Sequence, residues 1–443
     1  MESKKQSIGH QFAHFVALNI LSMVGVSCYI LVDTFFIGNG VGADGLTALN
    51  LALPLFSVQQ AFGFLFSVGC GTKYAILKAR KEDEAADELV CSTVVWAGLF
   101  GTALAILIFV FARPLMILMG AKGAMIGLSA GYMRTVLSFT PFFLLNSTCN
   151  LLVKNDYNPK LAMLGTLSGS LFNIIFDYIF IYPMHMGMFG AALATGFSPW
   201  VNLMVLSFHV IRKKNQFHLH KPTFRLGLLS EVAKLGLTSA ITELAAGVVV
   251  LVFNWAILSQ AGNIGVAAYG VVANIAIVVM AIYNGIAQGM QPLVSTNYGL
   301  GKEENMHRLL RYAVGTTLLV SAGMYLVLAM FAVPIAELFN GEHLASLRAI
   351  ASEGVRIYFT GIFFAGMSVV FGVYCNSREQ VKKAFAIAVL RGGSVMVPVL
   401  LILLFVARAG MVGVWLSFPV SEAIIFMIAL VLVRKKNENV KDF

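Results

Sequence analysis

Twelve stretches of this chain are each long and apolar enough to cross a lipid bilayer as a helix. They are 12–38, 46–72, 90–118, 128–153, 161–182, 189–211, 236–260, 267–295, 310–339, 350–375, 385–406 and 411–433. A spanning helix needs about 20 mainly apolar residues. The runs fill the 443-residue chain from end to end, so lipid rather than water is the solvent that must be satisfied. In lipid every backbone N–H and C=O needs an internal partner, which leaves helices or a closed barrel. Barrel strands alternate apolar and polar residues over about ten positions, whereas these runs are solidly apolar. Only 12% of residues are charged and 58% are hydrophobic, against about 25% charged in soluble domains. The expected fold is an all-α integral membrane protein with twelve transmembrane helices, lying in the cell membrane as a multi-pass protein.

The net charge of +10 sits in the loops. Lys78, Arg80 and Lys81, Lys154 and Lys160, Arg212 to Arg225, Lys302, Arg308 and Arg311, Arg378, Lys382 and Lys383, and Arg434 to Lys436 fall on one side of a twelve-span arrangement. The opposite loops hold about four: Arg113, Lys122, Arg348 and Arg408. The positive-inside rule then puts both termini in the cytoplasm. Loop charge of this kind is no nucleic-acid signature, and no nucleic-acid partner is expected. The first run extends well past signal-peptide length without an A-x-A-type cleavage site, so it is expected to remain as the first helix. The five cysteines are scattered and have neither metal-ligand spacing nor a disulfide framework. There is no phosphate-binding P-loop and no His-x-x-x-His or Gly-x-Ser-x-Gly motif. An enzyme is therefore not expected, and neither is a cofactor.

The two halves resemble each other. Gly45-Leu-Thr-Ala48 aligns with Gly265-Val-Ala-Ala268, and the same offset pairs Gly69 with Gly289 and Glu84 with Glu304. Further on, Gly187-Met-Phe-Gly190 aligns with Gly410-Met-Val-Gly413. An even number of spans per half keeps both halves in one orientation, related by an axis along the membrane normal. The expected organisation is two pseudo-symmetric six-helix bundles: a lobe over 1–211, a basic cytoplasmic linker over 212–234 carrying Pro222, a lobe over 235–433, and a cytoplasmic tail over 434–443. Two lobes around a cleft can rock to open it to either side. Pro54, Pro141, Pro292, Pro398 and Pro419 fall inside apolar runs, where each removes a backbone hydrogen bond and can bend its helix.

Charged side chains inside spanning helices cost roughly 2.5–3.5 kcal/mol on insertion scales, so they point to function. Asp33 and Asp177 each lie about five residues before the outer end of their run, roughly 8 Å below the same surface at 1.5 Å per residue. They can share one site if the first and fifth spans are neighbours. Asn173 precedes Asp177 by one helical turn and shares its face. Asn150 and Thr195 are candidates to complete the polar cluster. Two carboxylates in a low-dielectric site need a proton or cation between them, and amide and hydroxyl oxygens suit Na⁺. The competing reading is interhelical glue, which is more often Ser, Thr or Asn than carboxylate.

In the second half, Glu243 is a candidate for cation-substrate or proton binding. Gln288, Gln291, Asn254 and Asn274 are candidate cavity-lining amides, and Arg391 is placed near an inner helix end, where it could snorkel or take a gating role. The acids are not duplicated: Asp33 aligns with Phe253, Asn173 and Asp177 with Met396 and Leu400, and Glu243 with Met23.

Several runs are similar to the MATE family of multidrug and toxic-compound extrusion transporters, especially its bacterial MepA-like branch. They are Val32-Asp-Thr-Phe-Phe-Ile-Gly38, Val153-Lys-Asn-Asp-Tyr-Asn-Pro-Lys160, Asn173-Ile-Ile-Phe-Asp177, Leu237-Thr-Ser-Ala-Ile-Thr-Glu243, Ala267-Ala-Tyr-Gly270, and Gly285-Ile-Ala-Gln-Gly-Met-Gln-Pro292 with Tyr298-Gly299. The resemblance spans essentially the whole chain. It implies export of cationic or amphipathic organic compounds driven by an inward H⁺ or Na⁺ gradient. The cation site it implies carries over to Asp33, Asn173 and Asp177, with Asn150 and Thr195 beside them, and the acid of the seventh span to Glu243. Some relatives bend the first helix at a proline. Residues 12–38 contain none, so any bend here would start elsewhere, near Gly25. The expected partners are small organic cations or amphipathic drugs and the bilayer, with the chain acting as a monomer. A lipid-linked precursor flippase is the nearest rival and would need a strongly basic cavity. A membrane-embedded enzyme and a passive channel are more distant ones.

Overall fold

The protein is described from a computed structural model covering residues 7–119, 121–218, 220–223, 225–338 and 344–434. Among these residues the regular structure is helical: α1 (Ile8–Gly40), α2 (Ala43–Arg80), α3 (Asp83–Leu118), α4 (Met125–Ser138), α5 (Thr140–Asn155), α6 (Pro159–Ile181), α7 (Gly187–Ile211), α8 (Leu226–Gly299), α9 (Glu303–Met330), α10 (Ala332–Leu338), α11 (Ala345–Tyr358), α12 (Ile362–Ser377), α13 (Val381–Val389), α14 (Met396–Leu401) and α15 (Gly410–Arg434). Ten described helices are long and apolar enough to span a membrane, and eleven if α4 and α5 form one span bent by 45°. The bend falls at Phe139, just before Pro141 at the start of α5, where the missing proline N–H needs no partner.

Local signals set the helix ends. Ser7 caps α1 by accepting from His10 N at 3.3 Å, and Asn158 caps α6 by accepting from Leu161 N at 3.4 Å, with Pro159 following it. Asp83 and Glu84 open α3, while Lys78 and Arg80 close α2, so each charge opposes the helix-end dipole. The seventh and eighth apolar runs merge into one element, α8, interrupted at Gly262 (φ 59°, ψ −153°). Only glycine reaches that backbone region without strain, so the turn between the two limbs of α8 occupies a single residue.

Close approach of backbones joins the first half of the chain to the second. A Cβ on Gly69 would lie 2.0 Å from Val232 O, and one on Gly236 would lie 1.9 Å from Leu65 O. In the same way a Cβ on Gly289 would lie 2.7 Å from Val16 Cα, and one on Gly285 2.6 Å from Ile20 Cα. Small residues let membrane helices pack this tightly, where dispersion rather than the hydrophobic effect supplies the attraction. The cores interleave accordingly. Phe12, Phe15 and Val16 of α1 pack into the main core of the second half, and Val232 of α8 packs among Phe66, Cys70 and Tyr74 of the first.

These contacts lie toward the helix ends that carry the lysines and arginines. At the far ends, the buried cluster around Ile37, Met116, Met133 and Ile181 draws only on the first half. The cluster of Ala268, Val271, Ala336, Leu347 and Ala351 draws only on the second.

Polar contacts reinforce the seam. Gln291 donates to Thr72 Oγ1 (3.0 Å) and accepts from Asn155 Nδ2 (3.3 Å). Lys73 Nζ lies 3.1 Å from both Glu231 and Glu379, and Arg80 reaches Glu379 at 3.8 Å. These ion pairs are partly solvated, so each is worth about 1 kcal/mol or less. Glu379→Gln is therefore expected to loosen the seam only slightly, with cysteine labelling there rising by less than about fivefold. A rise as large as that from disrupting the glycine contacts would contradict this ranking.

Residues after α7 dock on the first half through Asp156. This buried carboxylate accepts from Tyr74 OH (2.7 Å), His209 Nε2 (2.7 Å) and Gln216 N (2.9 Å). His209 Nδ1 in turn lies 3.1 Å from Asn158 Nδ2. Asp156→Ala strands three donors, and losses on breaking such buried charged networks are about 3–5 kcal/mol. A fall in the melting temperature of the detergent-solubilised protein is the expected outcome. An unchanged melting temperature would show that the network carries no stability.

Candidate functional site

The site is built where α1 meets α6. The two helices pack along their length, brought close by glycine: a Cβ on Gly25 would lie 2.4 Å from Leu167, and one on Gly40 2.2 Å from Ile181. Gly25 thus serves as a packing position, and α1 runs through it without a break. This packing buries Asp33 and Asp177 together, with their carboxyl groups within electrostatic reach of each other. Each acid retains one buried oxygen, Oδ1, without a partner. Two carboxylates offer only acceptors, so the contact is satisfied when a proton or a cation lies between them.

Asn173 holds this pair from one turn deeper in α6. Its amide orientation is assigned from its neighbours: Nδ2 donates to Asp177 Oδ2 at 3.1 Å, and Oδ1 accepts from Thr195 N at 3.3 Å. The Thr195 hydroxyl lies 3.4 Å from the same amide. Asp33, Asp177, Asn173 and Thr195 therefore come together. Asn150 does not join them. Its Nδ2 donates to Ala162 O (3.2 Å) and Thr166 Oγ1 (3.0 Å), and Thr166 is about 10 Å along α6 from Asn173 at 1.5 Å per residue. One turn nearer the acids on α5, Asn146 keeps a buried Oδ1 without a partner. Tyr29, one turn before Asp33, and Tyr132 of α4 both lie within electrostatic reach of the two acids. The i−4 spacing of Tyr29 was available in the sequence. Tyr132 enters only through the bend that turns α4 against α2 and α7.

The second half has no matching acid site. The residues aligned with Asp33, Asn173 and Asp177 are Phe253, Met396 and Leu400, and all three are buried in one apolar cluster. Glu243 is half-buried on the first limb of α8 and has neither a hydrogen bond nor an ion pair among the described residues.

Gln288 and Gln291 differ from the cavity-lining expectation. In this conformation they sit in the closed seam, Gln288 accepting from Lys154 Nζ at 3.4 Å. The sequence located them on the correct helix, but which way an amide faces depends on the partner lobe. Asn274 is half-buried on α8, and the side chain of Asn254 lies outside the described residues. Arg391 also differs from expectation. It does not snorkel to an interface but faces the buried Glu422 of α15, with Nε 3.7 Å from Oε1. The sequence reading missed Glu422, although a lone glutamate in an apolar run is the same signal that identified Asp177.

The MatE family model matches residues 19–179 and 239–402. The chain is 26% identical to the multidrug export protein MepA of Staphylococcus saprophyticus over 97% of its own length and 94% of the relative's. It is 24% identical to the protein of the same name from Staphylococcus aureus, with the same coverage. Its fold matches that of an outward-facing multidrug resistance MATE family transporter of the MOP superfamily, with a TM-score of 0.92, 20% identity and 98% of each chain covered. Matches covering this much of the chain, together with the spanning helices, identify a multi-pass membrane protein that belongs to the MatE family.

Proposed function

We propose that this protein is a multidrug efflux antiporter of the cell membrane, exporting cationic or amphipathic organic compounds in exchange for H⁺ or Na⁺. The observation that carries the reading is the buried contact of Asp33 with Asp177, each with an unpartnered oxygen. Such a pair exchanges a proton or small cation at modest cost, whereas a purely structural contact would leave two acceptors opposed. Export as the direction of transport is supported by the relatives named as export proteins.

The working architecture is twelve spans in two pseudo-symmetric lobes, 1–211 and 235–433, joined by a linker over 212–234 and followed by a tail over 434–443. Both termini face the cytoplasm, and the chain acts as a monomer. Three observations support this. The limb of α8 before Gly262 is helical over the run 236–260 that the arrangement takes as a further span. The two segments matched by the family model begin 220 residues apart. The seam is built from related positions: Leu65 and Gly69 of α2 lie 220 residues before Gly285 and Gly289 of α8, and each pair meets a helix of the opposite half, at Gly236 and Val232 and at Ile20 and Val16, the last two falling one helical turn off that offset. The lobes meet at their cytoplasmic ends in this conformation, so the cleft opens outward. Cation binding at the acid pair favours this state and substrate release. Return of the cation to the cytoplasm accompanies opening of the seam, with Glu243 available to a cationic substrate in the second lobe. A flippase for lipid-linked precursors is not favoured, because the seam holds lysines and arginines largely matched by carboxylates and amides rather than a basic cavity.

The test is efflux of an organic-cation dye from cells or proteoliposomes, measured with Na⁺ absent and then with the pH gradient collapsed. Transport should stop in one of the two conditions. Undiminished efflux in both would overturn the antiport reading.

A further inference from the structure

The second lobe lacks the acid pair but has a buried charge pair of its own. Glu422 of α15 and Arg391 face each other with Nε 3.7 Å from Oε1. Both are largely enclosed, and both Arg391 Nε and Glu422 Oε2 are buried without a hydrogen-bond partner. The pair is thus close enough to attract but not locked by a hydrogen bond. The Ser368 hydroxyl of α12 and the Tyr358 phenol of α11 are the other groups within electrostatic reach of Glu422. Tyr269 of α8 reaches it only by way of Tyr358. Glu243, an acid on the first limb of α8, has no charged group within electrostatic reach among the described residues.

The position of the pair gives it leverage. Arg391 lies in a π-turn, Leu390–Ser394, where Gly393 takes φ 99° and breaks the helix. A second π-turn, Ile402–Val406, interrupts the same span. Pi-turns of this kind mark sites where a helix can change its bend. At the 223-residue offset that relates the ends of the two matched segments, Arg391 and Glu422 align with Ser168 and Pro199 of the first lobe. There α6 is an unbroken helix, and Ser198 Oγ simply donates to Gly169 O at 2.9 Å. The charge pair and the helix break therefore occur together, in one lobe only.

We propose that Arg391 and Glu422 form a second, proton-sensitive coupling site, in which proton uptake on the Glu422 carboxylate frees Arg391 and lets the 381–406 span change its bend. The proton comes from bulk water and returns to it, and no other group is consumed. Only the purpose of the switch rests on the transporter reading. The pair and the break stand without it.

The test measures bend directly. Spin labels on cysteines at Phe385 and Phe405, both exposed, flank the break in a background whose five native cysteines are replaced by alanine. Their separation is followed by pulsed electron resonance from pH 5 to pH 9. The separation is expected to change with pH in the parent protein and in Asp177→Asn. In Glu422→Gln it should stay at the low-pH value throughout. In Arg391→Gln, which has no guanidinium for the carboxylate to hold, the separation should likewise stay at the low-pH value. A pH-independent separation in the parent, or a Glu422→Gln or Arg391→Gln variant that titrates like the parent, would overturn the proposal. Loss of the change in Asp177→Asn would also overturn it, by assigning the titration to the first lobe. Because no transport is measured, failure here is separable from failure of the antiport reading.

Discussion

Asp177→Asn is expected to reduce gradient-driven efflux to the uncoupled background while leaving the protein folded in the membrane. The side chain is fully buried and nearly isosteric after the change, and the asparagine can donate to Asp33, so packing and hydrogen bonding survive. What disappears is the second carboxylate, and with it the ability to hold and release a proton or cation. Coupling free energies between sites are typically about 1–3 kcal/mol, or about 5- to 150-fold. Loss of coupled transport at the upper end of that range is expected. Asp33→Asn should match it, and the double variant should be no worse than either single one, because the two groups act as one unit. Asn173→Ala should give a smaller loss, since it removes only a donor to Asp177. Efflux by Asp177→Asn at the parent rate, at equal expression, would remove the acid pair from the mechanism.

Gly236→Ala is expected to shift the two halves away from the closed seam. The added Cβ would fall 1.9 Å from Leu65 O, and a backbone carbonyl cannot rotate aside as a side-chain tip can. Overpacking typically costs about 1–3 kcal/mol, and here only the state with the seam closed bears it. Each 1.4 kcal/mol is a factor of ten in the equilibrium. Thr72, fully buried in the seam, reports the result as a cysteine: its modification by a thiol reagent should accelerate about tenfold or more. Gly285→Ala, whose added Cβ would fall 2.6 Å from Ile20 Cα across the same seam, should act in the same direction. Gly127→Ala on α4, where a Cβ meets open space, should do nothing. Equal labelling in Gly236→Ala and Gly127→Ala would show that the seam is not held by close approach.

Much of the site is legible in the sequence. Asp33 and Asp177 announced themselves because a carboxylate in an apolar run has few structural uses, and counting residues to the helix ends put both at one depth. The i−4 spacing attached Asn173. Asn150 went astray by one turn, since the α4–α5 bend at Phe139 changes how α5 meets α6, and a run of apolar residues does not record a bend. Gln288 and Gln291 are expected from the sequence to line a cavity but hydrogen-bond across the seam to Lys154, Asn155 and Thr72, because which part of the other half faces them depends on the conformation adopted. Glu422 was overlooked, and Arg391 was misplaced at an interface, because one lone charge in a run looks like a snorkelling side chain until its partner is seen.

The sequence by itself determined that the chain is helical and membrane-spanning, that its two halves are related, and that the acids belong to only one of them. Those properties follow from composition, period and offset, which are local or repeated along the chain. The tertiary structure alone decided that the lobes close at their basic ends, that Tyr132 faces the acids, and that Arg391 meets Glu422 across a broken helix. Each of these depends on contacts between residues far apart in sequence, where packing geometry rather than residue type chooses the partner.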